Sequence, residues 1–250
     1  MGDLITTTWL WVNLVILLAA FVMSITGFGF ALVTASLLLF LVDPKTVIVF
    51  NVFLGTIVCL PILWQTRKFL RPRRIAVLII SSTLALPLGI YALAQFSSPM
   101  LRLIIITMVV IFTILLALGI SFKVKEENLG CAVSGFISGA LSNSTGLGGP
   151  PIILFLLNQE WAKDVFRGNI TAYFVLNGIA AAISLGVSGN LSSDIVVYTL
   201  TTIPALAIGY YLGTLLLPHI NAISFRKIAI YVLLGCSLLG IIDEVITYLV

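Results

Sequence analysis

Residues 142–151 read "SNSTGLGGPP" and lie between two apolar stretches, "LGCAVSGFISGAL" before them and "IILFLLN" after them. Four polar side chains, three glycines and two prolines form a composition that interrupts a helix. The whole chain of 250 residues is 60% hydrophobic and only 9% charged, with a mean hydropathy of +1.22. So few charges could not cover the surface of a soluble domain, and the composition predicts an integral membrane protein. The interruption is therefore expected at membrane depth.

The apolar stretches are typical of helices rather than of barrel strands. Residues 103–120, "LIIITMVVIFTILLALGI", are continuously apolar, whereas barrel strands would alternate polar and apolar side chains. The start, "MGDLITTTWLWVN", lacks the basic region of a signal peptide, so the first apolar segment is expected to be retained. Cys59, Cys131 and Cys236 all fall in apolar segments, and we expect neither a disulfide framework nor a metal site or other cofactor.

An internal repeat relates the two halves of the chain. Residues 25–30, "ITGFGF", resemble residues 144–149, "STGLGG", and three further matches follow in the same order. The four matches are separated by 119, 118, 120 and 124 residues, which predicts a first repeat at 1–122, a connecting loop at 123–129 and a second repeat at 130–250. The three further matches pair Asn51 with Asn169, Gly89 with Gly209 and Arg102 with Arg226.

Each repeat is predicted to hold one interrupted segment followed by three full-length helices. A helix needs about 20 residues to cross the hydrocarbon core, and the pieces at 30–42, 131–143 and 150–158 are too short, although 5–24 is long enough alone. The full-length helices are expected at 46–65, 74–96, 101–122, 165–187, 195–217 and 228–248.

The distribution of lysine and arginine favours re-entrant hairpins at both interruptions. With hairpins, eleven basic residues face the cytoplasm and only Lys45 and Arg102 face outward, whereas two single crossings leave almost no bias. Three crossings per repeat make the repeats inverted, with both termini outside. The predicted fold is therefore an all-α integral membrane protein with two inverted repeats, each with a re-entrant segment. Inverted repeats with broken helices near mid-membrane are a common transporter plan.

The interruptions are interpreted as one anion site. Glycines let a ligand approach the backbone, and prolines suit the first turn of a new helix, whose amides would face an anion. Small residues also allow tight helix packing, and that interpretation is favoured for Gly135 and Gly139. The two asparagines matched by the repeat are either pocket walls or interhelical hydrogen-bonding residues. The predicted site consists of Thr26, Gly27, Phe28, Gly29, Asn51, Ser142, Asn143, Ser144, Thr145, Gly146, Gly148, Gly149, Pro150 and Asn169.

Charged residues lie at the ends of the apolar segments. Arg102 and Arg226 open their predicted helices and are expected to reach the membrane interface, with a gating role as the alternative. Asp43 and Asp164 are expected to cap helix N-termini. All nine acidic residues lie in loops or at helix ends, so a proton relay is not indicated, and a site without carboxylates suits an anion.

At these residues the chain resembles the TauE/SafE family of sulfite exporters. The resemblance rests on "TGFGFALVTASLLLFL" at 26–41 and "GALSNSTGLGGPPIILFLL" at 139–157, and it extends over nearly the whole chain. It implies a prokaryotic plasma-membrane carrier for sulfur-containing anions such as sulfite or sulfoacetate. Phe28 and Phe30 depart from the fuller Gly/Pro pattern, which implies an asymmetric pocket in which one of them contacts an organic part of the substrate.

The function expected is secondary transport of a small anion by alternating access. A passive anion channel, or a transporter of a carboxylate or another oxyanion, would use the same pocket. An enzyme is not expected, because the single histidine, His219, ends a predicted helix and no His-Glu-x-x-His motif is present. The expected partners are the small anion and the lipid bilayer, not a nucleic acid, and a homodimer is left open.

Overall fold

The computed structural model describes residues 2–118, 126–157, 162–189 and 193–219, and within them every regular element is helical. Short 3-10 turns follow two of the helices. This part of the chain confirms the all-helical expectation. The helices are α1 Gly2–Thr26, α2 Phe30–Leu38, α3 Pro44–Thr66, α4 Pro72–Gln95, α5 Ser98–Ala117, α6 Glu127–Thr145, α7 Gly149–Leu157, α8 Lys163–Val187, α9 Ser193–Thr201 and α10 Ile203–Leu216.

Five helices among the described residues are long and apolar enough to cross a membrane, and the pair α9–α10 would make a sixth span. That pair is bent by 40° at Thr202, so the full-length segment expected at 195–217 consists of two helices rather than one. Pro204 explains the bend, because it lacks the N–H that a continuous helix would use and favours the first turn of a new one. The helix expected at 228–248 lies outside the described residues. A chain with this many spans is a multi-pass membrane protein.

The two aspartates at helix starts behave differently. Asp43 is the N-cap of α3, and its carboxylate accepts a hydrogen bond of 2.9 Å from the Lys45 amide, with Pro44 in the first turn. The expectation for Asp164 is wrong, because the N-cap of α8 is Ala162 and Asp164 lies inside the first turn. There its negative charge still favours the positive end of the helix.

Both interruptions are real breaks at which the chain reverses. Gly130, near the start of α6, packs against the ring of Phe155, near the end of α7. A continuous helix would hold these residues about 37 Å apart, so α7 turns back along α6. In the other half, α2 packs against α1 in the same way. With nine residues each, α2 and α7 are roughly 13 Å long and too short to cross alone.

Close helix crossings hold the two halves together. Helices α3 and α8 run antiparallel, since Gly178 packs on Thr56 while Gly168 packs on Thr66. Helix α4 lies along α6, where Gly139 leaves no room between its backbone and the Ser82 carbonyl. Helix α10 lies along α1 through comparable glycine contacts. The small-residue packing expected for Gly135 and Gly139 is confirmed.

Candidate anion site between the two helix breaks

A cavity of about 70 Å³ lies between the two breaks. Its wall contains the N-terminal turns of both short helices, α2 and α7, together with the middle of α3 and of α8. The two interruptions of the sequence therefore meet at one place in the fold. Half of the predicted site residues line this cavity, namely Gly29, Asn51, Ser142, Gly146, Gly148, Gly149 and Pro150.

Glycine is needed at the breaks for conformation and for space. Gly29 has φ 93° and Gly146 has φ 71°, which are left-handed values that strain other residues. At Gly148 the limit is space, because a β-carbon would lie 3.0 Å from the Ser138 carbonyl oxygen and 3.2 Å from the Ser142 hydroxyl. Any side chain at position 148 would therefore press on the residues that form the cavity.

The backbone presents hydrogen-bond donors to the cavity. The first turn of a helix leaves its N–H groups without partners inside the helix, and residues 29–32 at the start of α2 line the cavity. Helix α7 begins at Gly149 on the same cavity, and because Pro150 and Pro151 carry no N–H, Gly149 is the only residue before Ile152 in that turn with an amide donor. Each helix start carries roughly half a positive elementary charge. Two such ends facing one small space favour an anion there.

Asn51 adds a side-chain donor whose orientation is fixed. Its Oδ1 accepts a hydrogen bond from the Thr34 hydroxyl, which leaves the Nδ2 group on the other side. Asn51 is only 7% exposed, and its Nδ2 is buried without a hydrogen-bond partner among the described residues. A β-carbon at Gly146 would lie 3.0 Å from that nitrogen, so the amide lies directly against the second break. A buried donor without a partner indicates a ligand or water.

A hydrogen-bond network stands behind the second break. Asn177 Nδ2 donates to the Ser142 hydroxyl at 3.0 Å, so the proton of Ser142 remains available to the cavity. Ser82 donates to the Asn177 carbonyl oxygen and holds that amide in place. The Tyr173 hydroxyl lies 2.8 Å from both Ser82 and Ser138, and Ser138 donates to the Gly148 carbonyl. The network thus connects α4, α6 and α8 to the backbone of the break.

Three predicted residues of the first break lie outside the cavity and shape the break itself. The Thr26 hydroxyl donates to the Val22 carbonyl at 2.8 Å and accepts from the Phe28 amide at 3.1 Å. Gly27, with φ 78°, packs against the side chain of Arg167. The Phe28 ring contacts Phe166 edge-on with centroids 6.0 Å apart. Of the two phenylalanines, only Phe30 lines the cavity.

Three predicted residues of the second break also lie outside it. The hydroxyls of Ser144 and Thr145 donate to carbonyls one turn earlier in α6, at 2.8 and 2.9 Å. Asn143 is fully buried where α6 crosses α4 beside Gly89, and its amide has no partner. The hydroxyls of Ser144 and Thr145 are therefore paired with the backbone of α6, whereas the buried Asn143 amide makes no hydrogen bond in the described structure.

Asn169 lies apart from the cavity and makes interhelical hydrogen bonds. Its Oδ1 accepts from the Arg71 amide at 2.7 Å, and its Nδ2 donates to the Phe69 carbonyl at 3.1 Å. The repeat spacing gives the reason. Equivalent residues of the two breaks, such as Gly27 and Gly146, are 119 residues apart, whereas Asn51 and Asn169 are 118 residues apart. Asn169 therefore lies one residue before the position that is equivalent to Asn51. One residue rotates a helical side chain by about 100°, so Asn169 faces the turn between α3 and α4.

Of the two arginines named as possible gates, only Arg102 is described, and it does not line the cavity. Arg102 is half-buried in the first turns of α5, and Arg226 lies outside the described residues. Sequence reasoning missed three polar groups instead. Asn177 and Thr56 line the cavity, and Arg167, counted among the basic residues that face the cytoplasm, is buried in α8. The signal that could have found them is a polar side chain inside an apolar helix.

A multi-pass membrane protein whose two broken helices enclose a polar cavity has the architecture of a transporter. The family model for the sulfite exporter TauE/SafE matches residues 12–239. The chain therefore belongs to the TauE/SafE family, whose members are transporters rather than enzymes. A small anion is accordingly its class of substrate. Comparison with curated proteins and with solved structures found no match.

Proposed function

We propose that this protein is a secondary transporter that moves a small sulfur-containing oxyanion, sulfite or a short organosulfonate such as sulfoacetate, by alternating access. The observation that carries the proposal is the convergence of two helix starts and the unpartnered Asn51 amide on one cavity. None of the described residues that line it is acidic or basic. Neutral donors and helix dipoles, rather than an ion pair, would hold the cargo.

The size and walls of the cavity support this substrate class. A water molecule needs about 10–15 Å³ of such space, so about 70 Å³ accommodates a few waters or a small oxyanion. Sulfite has that size. The side of the cavity formed by Phe30, Ile153 and Phe174 is apolar and would contact the short carbon chain of an organosulfonate. This assigns the organic contact to Phe30 rather than Phe28.

The arrangement of the helices supports alternating access. Helices α3 and α8 follow the breaks of their respective halves, and they cross in antiparallel directions. Equivalent helices that run in opposite directions are expected of inverted repeats, whose rocking exposes a central site to each side in turn. We therefore place the substrate at the interface of the repeats.

Counterflow tests the transport mechanism. Proteoliposomes preloaded with unlabelled sulfite are expected to accumulate ³⁵S-sulfite transiently, several-fold above vesicles loaded with an inert anion, because a carrier exchanges cargo across a single site. A channel would give no such stimulation, and that result would exclude alternating access. Thermal shifts with sulfite, sulfoacetate and acetate would rank the substrates, since a ligand stabilises the state that it binds. The largest shift with acetate would contradict the sulfur-anion assignment.

Asn51→Leu is expected to weaken sulfite binding by about 10- to 100-fold. The substitution removes a donor to a charged ligand, and such a hydrogen bond contributes about 1.5–3 kcal/mol. Thr34→Val keeps the side-chain shape but releases the Asn51 amide, so a smaller loss of about 3- to 10-fold is expected. Isothermal titration of the purified protein measures both. The control is Asn13→Leu, since Asn13 is bonded to the Trp9 carbonyl on α1 outside the cavity. Equal affinity in Asn51→Leu and Asn13→Leu would remove Asn51 from the site.

A further inference from the structure

Arg167 is a buried cation without a counterion among the residues that the structure describes. It is 3% exposed, and its Nη2 donates to the Ser24 carbonyl of α1 at 2.6 Å. Its Nε is buried and has no hydrogen-bond partner. No carboxylate of the described chain forms an ion pair with it, and Asp164, one turn earlier, acts on it only at longer range. Buried charges are normally paired with a group of opposite charge, and the described residues supply no such group for this guanidinium.

The position of Arg167 connects it to the cavity. A β-carbon at Gly27 would lie 3.2 Å from Arg167 Cγ, so the side chain lies directly on the first break. Gly27 is two residues from Gly29, which lines the cavity, and two residues span at most about 7 Å. Arg167 is in the second turn of α8, while the cavity is lined by residues further along that helix. The guanidinium therefore lies beside the cavity, on the side where α8 begins.

The other break has no such charge. Gly146, the counterpart of Gly27, packs against Ile48, and Ile48 is the same 119 residues from Arg167 that separates the two glycines. The two breaks thus pack against equivalent positions of α3 and α8, namely Ile48 and Arg167. One position carries an apolar side chain and the other a cation, so the pocket region is electrostatically one-sided.

We propose that Arg167 is a second anion-binding group, which receives the small oxyanion on the route between the cavity and the membrane face where α8 begins. This inference rests on the proposed function of the cavity. Two oxygens of a sulfite or sulfonate group match the Nε and Nη2 donors of a guanidinium. In the present conformation Nη2 donates to the Ser24 carbonyl, and Nε makes no hydrogen bond. An anion arriving there would displace that carbonyl and supply the missing negative charge.

Equilibrium dialysis with ³⁵S-sulfite tests the inference on the purified full-length protein. The wild type is expected to bind two anions, one tightly in the cavity and one at least 10-fold more weakly at Arg167. Arg167→Met, which keeps the length and apolar packing of the side chain, is expected to bind one, with the tight affinity changed by less than about 10-fold. Two bound anions in Arg167→Met, or loss of the tight one alone, would overturn the assignment.

Two further variants keep the outcomes separable. Arg167→Lys retains the charge but not the fork of donors, so the weak affinity is expected to fall at least 5-fold while the tight one is retained. This variant decides the question if Arg167→Met does not fold, and an unchanged weak affinity would then contradict the role of Arg167. Asn51→Leu should weaken the tight binding by about 10- to 100-fold and leave the weak affinity unchanged. Unaltered tight binding in Asn51→Leu would refute the cavity assignment rather than the one at Arg167.

Discussion

Replacing Gly148 with leucine is expected to abolish sulfite binding, with a loss of affinity of at least about 100-fold. The β-carbon alone would approach the Ser138 carbonyl oxygen to 3.0 Å and the Ser142 hydroxyl to 3.2 Å. The rest of the leucine side chain would then have to enter the cavity. It would occupy the space of the anion and separate it from the start of α7, which removes two or more charge-assisted hydrogen bonds at once.

Binding of ³⁵S-sulfite and counterflow measure this effect. Gly148→Ala is the graded variant, and it should lose about 10-fold because it displaces the Ser142 hydroxyl without filling the cavity. The control is Ala207→Leu, which adds apolar bulk at an exposed position of α10 and should bind as the wild type does. Elution as a single monodisperse species establishes that each variant is folded. Wild-type affinity in a folded Gly148→Leu protein would mean that the anion does not bind between the breaks.

The breaks could be predicted from the sequence because their cause is local. Glycine and proline limit backbone conformation wherever they occur, so "TGFG" and "STGLGGPP" mark helix ends without any knowledge of the fold. The left-handed values at Gly27, Gly29 and Gly146 confirm that interpretation. The bend within the segment expected at 195–217 was not predicted, because a single Pro204 inside an apolar stretch does not show whether the helix continues.

The direction in which each helical side chain points could not be predicted with the same success. Asn51 and Asn169 look equivalent in the alignment of the repeats, yet one lines the cavity and the other holds the turn after α3. A shift of one residue in the alignment of two weakly similar repeats cannot be detected, yet it rotates a helical side chain by about 100°. Arg167 was hidden for a related reason. Near a predicted helix start an arginine is normally solvated, whereas Arg167 is buried against residues distant in the sequence, including Gly27 and the Ser24 carbonyl.

The largest effect on stability is expected at two glycines outside the site, Gly139 and Gly209. A β-carbon at Gly139 would overlap the Ser82 carbonyl of α4, and one at Gly209 would overlap the Leu17 carbonyl of α1. In both places backbone meets backbone, so no side chain can move aside and the helices themselves must separate. Overpacking of this kind costs about 1–3 kcal/mol for each alanine. The crossings α4–α6 and α1–α10 are different contacts, so their effects should add.

Thermal unfolding in one detergent, followed by the loss of monodisperse protein, provides the measurement for Gly139→Ala, Gly209→Ala and the double variant. The matched control is Gly55→Ala in α3, where a β-carbon would meet only the Phe30 ring at an ordinary 3.5 Å. That control should melt at or slightly above the wild-type temperature, because alanine favours a helix more than glycine does. If Gly139→Ala and Gly209→Ala melt with the control, the close approach of these helices does not hold the halves together. A double variant that is no less stable than either single one would mean instead that the two crossings form one coupled contact, because independent sites are expected to add their free-energy losses.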